Sequence, residues 1–157
     1  MSNAAAIGRQ SQHDGEVGQN IAHYTLSRLG VEMVEAVYTP WKVLFKNTSS
    51  GRKVVNAFPL RKVSGDFRGV LPGGRAVLIE VKSRTTRDTF RWSDLEDHQK
   101  DALHENSGFG GLSLVCWVND LGECIVIEWD KFVSCLDGKS RKSITWSEAV
   151  DIQWTGI

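Results

Sequence analysis

The stretch "SGDFRGVLPGGRAVLIEVKSR", residues 64–84, constrains the fold more than any other part of the chain. Two short apolar runs flank Pro72-Gly73-Gly74, residues suited to a tight turn, so the segment predicts an antiparallel hairpin with strands over 66–71 and 75–82. Turn length sets the register. A three-residue loop with one glycine in the left-handed conformation places Leu71 opposite Arg75, Phe67 opposite Ile79 and Asp66 opposite Glu80. A two-residue Gly-Gly loop would set Asp66 opposite Val81 and bury a carboxylate among apolar neighbours, which disfavours it. Because side chains alternate along a strand, the first register puts Asp66, Glu80 and Lys82 on one face.

Two carboxylates held opposite one another repel unless positive charge lies between them. Lys82 supplies part of that charge. A divalent cation supplies more, and carboxylates with open positions for water and phosphate oxygens suit a hard ion, Mg²⁺ or alternatively Mn²⁺. A lysine beside such an ion can orient an attacking water while the ion stabilises developing negative charge, so the chemistry implied is metal-assisted phosphodiester hydrolysis. Spacing alone leaves a second reading open, because Glu-x-Lys on an edge strand is also the pattern of a solvated ion pair.

Around this hairpin the chain alternates helix and strand. Asp14 is a candidate cap for a helix over 15–29, with Val17, Ile21, Ala22, Leu26 and Leu29 at helical spacing and Gly30 as its stop. Apolar segments follow at 31–37 and 41–45, then the polar "KNTSSGRK" at 46–53 and a returning strand at 54–58, together a projecting hairpin over about 44–56. Ser93 followed by Glu96 reads as a capping box for a helix over 94–105 that Gly110 and Gly111 close. Leu95, Ala102 and Leu103 mark its inward face. Gln99 falls on that face, where an amide either meets backbone or serves a site. Strands over 112–118 and 123–129 and a short helix near 146–150 complete an α/β or α+β sheet flanked by helices.

At 157 residues the chain suits one domain, 15–157, after a flexible N-terminus over 1–14. No apolar run approaches the roughly 18 residues of a membrane helix, and the opening residues lack the pattern of a signal peptide, so a cytoplasmic protein is expected. Cys116, Cys124 and Cys135 form no CxxC or Cys/His metal spacing and read as reduced thiols, and no histidine spacing suggests a ligand set. Nineteen Lys/Arg balance nineteen Asp/Glu, but unevenly: residues 61–91 hold eight bases against three acids, and 92–130 one against nine. A basic stretch around a few acids suits a polyanion site that also needs a cation.

The ordered motifs "TPWKV" at 39–43, "NAFPLRKVSGDFRGV" at 56–70, "EVKS" at 80–83 and "HQ" at 98–99, with Gly110-Gly111 beyond, resemble the PD-(D/E)XK nuclease superfamily and within it the RecU-type Holliday junction resolvases. The likeness spans about residues 15–118. It implies a restriction-endonuclease-like mixed sheet, with Asp66 and Glu80 as metal-binding acids, Lys82 orienting the nucleophilic water and Gln99 supporting the site. Ser64 lies where the resolvases carry a hydroxyl and would touch the metal shell or a phosphate. Residues 46–53 would lie in the stalk that reaches the centre of a junction, bringing Lys46, Arg52 and Lys53 to phosphate, unless they form an ordinary surface loop. Two departures stand out. Gly65 precedes Asp66 where proline is common, and Gln19 stands where many relatives have glutamate, leaving Glu16, one turn earlier, or main-chain oxygen to complete the metal site.

Arg68, Arg84, Arg87 and Arg91, with Arg61, Lys62 and Arg75, surround the motif, so phosphate contacts would supply most of the affinity and DNA shape would be read rather than sequence. The resemblance implies a Mg²⁺-dependent, structure-selective endonuclease acting on branched DNA in recombination and repair. A four-way junction has near-twofold symmetry, so a homodimer is expected. The alternatives are another endonuclease of the superfamily, restriction-like or repair, and a catalytically silent DNA-binding module of the same fold.

Overall fold

A computed structural model describes residues 3–38, 40–59, 63, 65–83, 88–136 and 141–157. Helix α1 runs from Asn3 to Arg28, well before the expected start at Asp14. The alanine-rich opening has high helix propensity, and Asp14 lies inside the helix rather than capping it. At the other end Gly30 has a φ of 90° and the Val31 amide donates to the Leu26 carbonyl at 3.1 Å, the bond pattern of a Schellman stop. Ala22 and Leu26 form the buried line, while Val17, expected in the apolar stripe, faces solvent.

The central sheet has the order β1-β4-β5-β7-β8, built from β1 (Glu32–Ala36), β4 (Phe67–Val70), β5 (Ala76–Ser83), β7 (Leu112–Val118) and β8 (Cys124–Glu128). Between β1 and β4 the chain forms a separate antiparallel pair, β2 (Trp41–Thr48) and β3 (Gly51–Pro59). The polar stretch expected as a turn is mostly strand: Lys46 pairs Lys53 and Asn47 pairs Arg52. In the β4–β5 hairpin Phe67 pairs Ile79 and Gly69 pairs Val77, the register of the three-residue loop. β5 and β7 are parallel, joined through helix α2 (Asp97–Gly108), and the other neighbours are antiparallel. All seven residues of β7 are buried, as a central strand covered on both faces requires.

Alternation along β5 divides the core. Val77, Ile79 and Val81 join Ala22 and Leu26 of α1 on one side; Leu78 joins Leu95, Leu103, Trp117 and Phe132 on the other. α2 starts three residues later than expected because Glu96, not Ser93, precedes its first turn, and Trp92–Asp94 forms a separate 3-10 turn. Helix α3 (Trp129–Leu136) was not anticipated, although Trp129, Phe132 and Leu136 lie one helical turn apart and are buried. Short strands β6 (Thr89–Arg91) and β9 (Ser143–Thr145) pair antiparallel, and α4 (Trp146–Asp151) follows where a short helix was expected. Tryptophans 117 and 129 are core residues. The three cysteines are free thiols. Among the described residues no helix is long and apolar enough to cross a membrane.

Candidate active site

Glu80 lies near the middle of β5 and is only 2 % exposed. A carboxylate so placed requires partners, and three residues supply them. Lys82, two residues along the same strand and on the same face, holds its Nζ 3.0 Å from Glu80 Oε1. The Gln99 amide of α2 donates from Nε2 to the same oxygen. Gly65 contributes a backbone N–H.

Gln99 is itself fixed from two sides. Its Oε1 accepts from Lys82 Nζ at 3.0 Å and from the Glu96 backbone N–H at 2.9 Å, so the amide that closes the first turn of α2 also bridges the acid and the lysine. Two donors at the oxygen and one acceptor at the nitrogen determine which way the amide points. The inward-facing glutamine of the sequence thus meets Glu80 and Lys82 as well as backbone.

Asp66 sits just before β4. Its N–H donates to the Ile79 carbonyl at 2.8 Å, while the paired ladder itself begins at Phe67. The expected face-to-face pairing of Asp66 with Glu80 is therefore modified: Gly65, with a φ of 81°, turns the chain before the strand, and the Asp66 carboxylate bends to accept the Val81 N–H at 2.7 Å through Oδ2. Its Oδ1 accepts from Gln19 Nε2 of α1 at 3.2 Å. α1 approaches closely here because Gly18 packs on Ser83, where a Cβ would lie 2.8 Å from the serine Cβ. Each acid therefore receives one glutamine, Asp66 from the α1 layer and Glu80 from the α2 layer.

Gly65 takes on added meaning in this frame. Proline at this position would lack the N–H that reaches Glu80 and could not adopt a positive φ. The departure from the common motif adds a donor to the buried acid.

The electrostatics follow from the geometry. Burial is the largest influence on Glu80, the charge of Asp66 adds to it, and Lys82 and the Gly65 N–H oppose them; the result is a carboxyl pushed up to about 7. Asp66 is raised as well, by burial, against the Val81 N–H, Lys82 and Gln19. Among the described residues, Glu80, buried, and Asp66, half-buried, thus face a single ammonium, that of Lys82. Such a donor set fits a hard divalent cation, whose oxygen ligands from this chain would be Asp66 and Glu80.

The structure brings together Asp66, Glu80, Lys82 and Gln99. Glu16 does not join them: it is exposed on α1, and among the described residues no three His, Cys, Asp or Glu side chains gather as a metal-binding group. Gln19 makes the α1 contact instead. Arg68 is exposed on β4, two residues from Asp66, and lines a cleft with Leu78, Ala102 and Phe109. Lys46 and Arg52 are exposed on the β2–β3 pair, with the Arg52 guanidinium 3.9 Å from the centre of the Phe45 ring, and Lys53 lies on β3 opposite Lys46. Arg91 ends β6. Ser64, Arg84 and Arg87 lie outside the described residues. The Gly65 and Val81 amides were missed because main-chain donors carry no signature of their own in a sequence.

The family model for Recombination protein U, RecU, matches residues 15–154, a range that contains Gln19, Gly65, Asp66, Glu80, Lys82 and Gln99. The chain belongs to the RecU family. Membership makes it a Holliday junction resolvase, an endonuclease of the PD-(D/E)XK type acting in recombination, with branched DNA as its substrate. RecU nucleases are generally metal-dependent, in keeping with the two acids of this site. No curated protein matches the chain.

Proposed function

We propose that this RecU-family resolvase cuts junction strands by Mg²⁺-dependent hydrolysis, with Mn²⁺ as a substitute, at the site formed by Asp66, Glu80, Lys82 and Gln99. The observation that supports this reading is the pair of acids, Glu80 buried and Asp66 half-buried, opposed by Lys82, since excess negative charge withdrawn from water favours a divalent ion. Asp66 and Glu80 hold the ion, which when bound stabilises the charge developing on the cleaved phosphate. Lys82 orients the attacking water and lowers the cost of its deprotonation. Gln99 is a positioning residue: its amide sets the distance between Glu80 and Lys82.

Arg68 and Arg91, together with Ser64, Arg84 and Arg87, contact phosphates near the cut, and Lys46, Arg52 and Lys53 carry contacts out along the β2–β3 pair toward the junction centre. Gln19 takes the place of a third acid, with the Asp66 carboxylate oriented by its amide rather than repelled by a glutamate. The working unit is a homodimer, because two matched cuts on a nearly twofold substrate call for two such sites.

Cleavage of a synthetic four-way junction tests this directly. Asp66→Asn and Lys82→Ala should each abolish cutting in Mg²⁺ while junction binding stays close to wild type. Full cutting by either variant would overturn the assignment.

A further inference from the structure

We propose that a second basic cleft, formed by Arg91, Lys100, Arg141 and Lys142 around Trp92, binds the sugar–phosphate backbone of a duplex arm of the substrate. The proposal rests on the junction-cleaving activity and adds to it an arm-holding surface. The cleft measures about 850 Å³, and among its described lining residues four side chains are cationic and none is acidic. That volume admits a length of backbone rather than a single ion.

Its composition runs against the surrounding sequence. Residues 92–130 contain nine acids and a single base, Lys100, and that base is the one drawn into the cleft. The Lys100 side chain is only 13 % exposed, whereas its ion-pair partner Asp97, 2.9 Å away, is 95 % exposed and does not line the cleft. The ammonium also lies 4.9 Å from the centre of the Trp92 ring. Cation–π attraction and the exposed carboxylate together hold the charge over the opening.

The remaining cations arrive from separate parts of the chain. β6 pairs with β9, Arg91 opposite Ser143, and the Trp92 N–H donates to the Lys142 carbonyl at 2.8 Å, which brings residues 141–143 beside Arg91. Arg141 forms two 2.6 Å bonds to Glu148 of α4, fixing the plane of its guanidinium. Four positive side chains from β6, α2 and the approach to β9 thus converge, with Asp97 and Glu148 as the acids that pair two of them.

The chemistry selects phosphate over bases. Among the described lining residues Trp92 is the aromatic ring, but it stacks on Trp129 at 5.4 Å and carries the Lys100 ammonium, so it supports the lysine instead of presenting a face to a base. Multiple cations without a base-stacking platform read a polyanionic backbone and ignore sequence. The cleft and the site share the first turn of α2, where Gln99 reaches Glu80 and Lys82 and the next residue, Lys100, turns to the cleft.

The test is equilibrium binding without divalent ions, to a non-migrating four-way junction and to a linear duplex, across about 50 to 200 mM salt. Each phosphate contact contributes about 0.9 to the slope of log affinity against log salt. Lys142→Gln should lower the slope by about 0.9 and Lys100→Gln/Lys142→Gln by about 1.8, on both DNAs, since both present duplex backbone. Asp97→Asn should tighten binding by releasing Lys100 from its partner. Melting temperature monitors folding, and because Lys142 is exposed its single variant carries the test if the double variant is unstable. Unchanged slopes and affinities in a wild-type chain that still binds the junction would overturn the cleft and leave the resolvase reading standing. A wild-type chain that binds no DNA would overturn both.

Discussion

Gln99 touches Glu80, Lys82 and the start of α2 at once, so a change at this residue reaches the chemistry through position rather than through contact with DNA. Gln99→Ala should reduce cutting on the order of 10- to 100-fold, the range usual for residues that orient ligands. A pH–rate profile separates this from a stability effect: with the amide gone the profile should move, whereas loss of folded protein scales all points equally. Glu80 makes a second, independent prediction. Its carboxyl ionises at about 7 in the fold against an ordinary 4.5, so the folded chain binds more protons across that window and stability falls as pH rises through it, then levels. In chelator the melting temperature should drop between about pH 4.5 and pH 7, and Glu80→Gln should flatten that drop. A melting temperature that rises over this range would contradict the buried-acid description. Asp66, Glu80 and Lys82 were legible in the sequence because turn length fixes register and strand alternation fixes face, and Gln99 because helical spacing set it on the same face as Leu95 and Leu103. The third partner was not: Glu16 and Gln19 lie three residues apart on one helix, too close for periodicity to separate, and the contact was decided by where Gly18 lets α1 meet β5.

Among the elements, the β2–β3 pair stands apart, forming its own two-stranded sheet beside the five-stranded one. An isolated pair of strands contributes little to a core. Replacing residues 44–56 with a short turn should therefore leave the melting temperature nearly unchanged while lowering the preference for four-way over linear DNA, read by competition binding. A large loss of stability would show instead that the hairpin belongs to the core. The sequence showed the outer parts of this pair, at 41–45 and 54–58, but the polar composition that suggested a loop at 46–53 hid how far the strands run toward the turn, since solvent-exposed residues there lack the alternation that reveals a half-buried strand. Helix α3 was hidden for a different reason. Its eight residues follow β8 with no intervening turn signal, so Trp129 reads as the end of a strand although it begins the helix that carries Phe132 and Leu136 into the core.

Across the whole molecule the balance of nineteen bases and nineteen acids conceals a separation of charge that matters more than the total. The acids concentrate over 92–130, and the bases lie around the β4–β5 hairpin and in the cleft beside β6 and β9. DNA therefore meets a local field the net charge does not register. Within that field lie Asp66 and Glu80, the two acids proposed to hold a divalent ion. Mn²⁺ calorimetry at pH 6, with uncleavable junction DNA present and in two buffers of different ionisation heat, measures this directly. Binding by the wild-type chain with proton release from Glu80, and its loss in Glu80→Gln, is the predicted result; no Mn²⁺ binding, or equal binding by both chains, would contradict it.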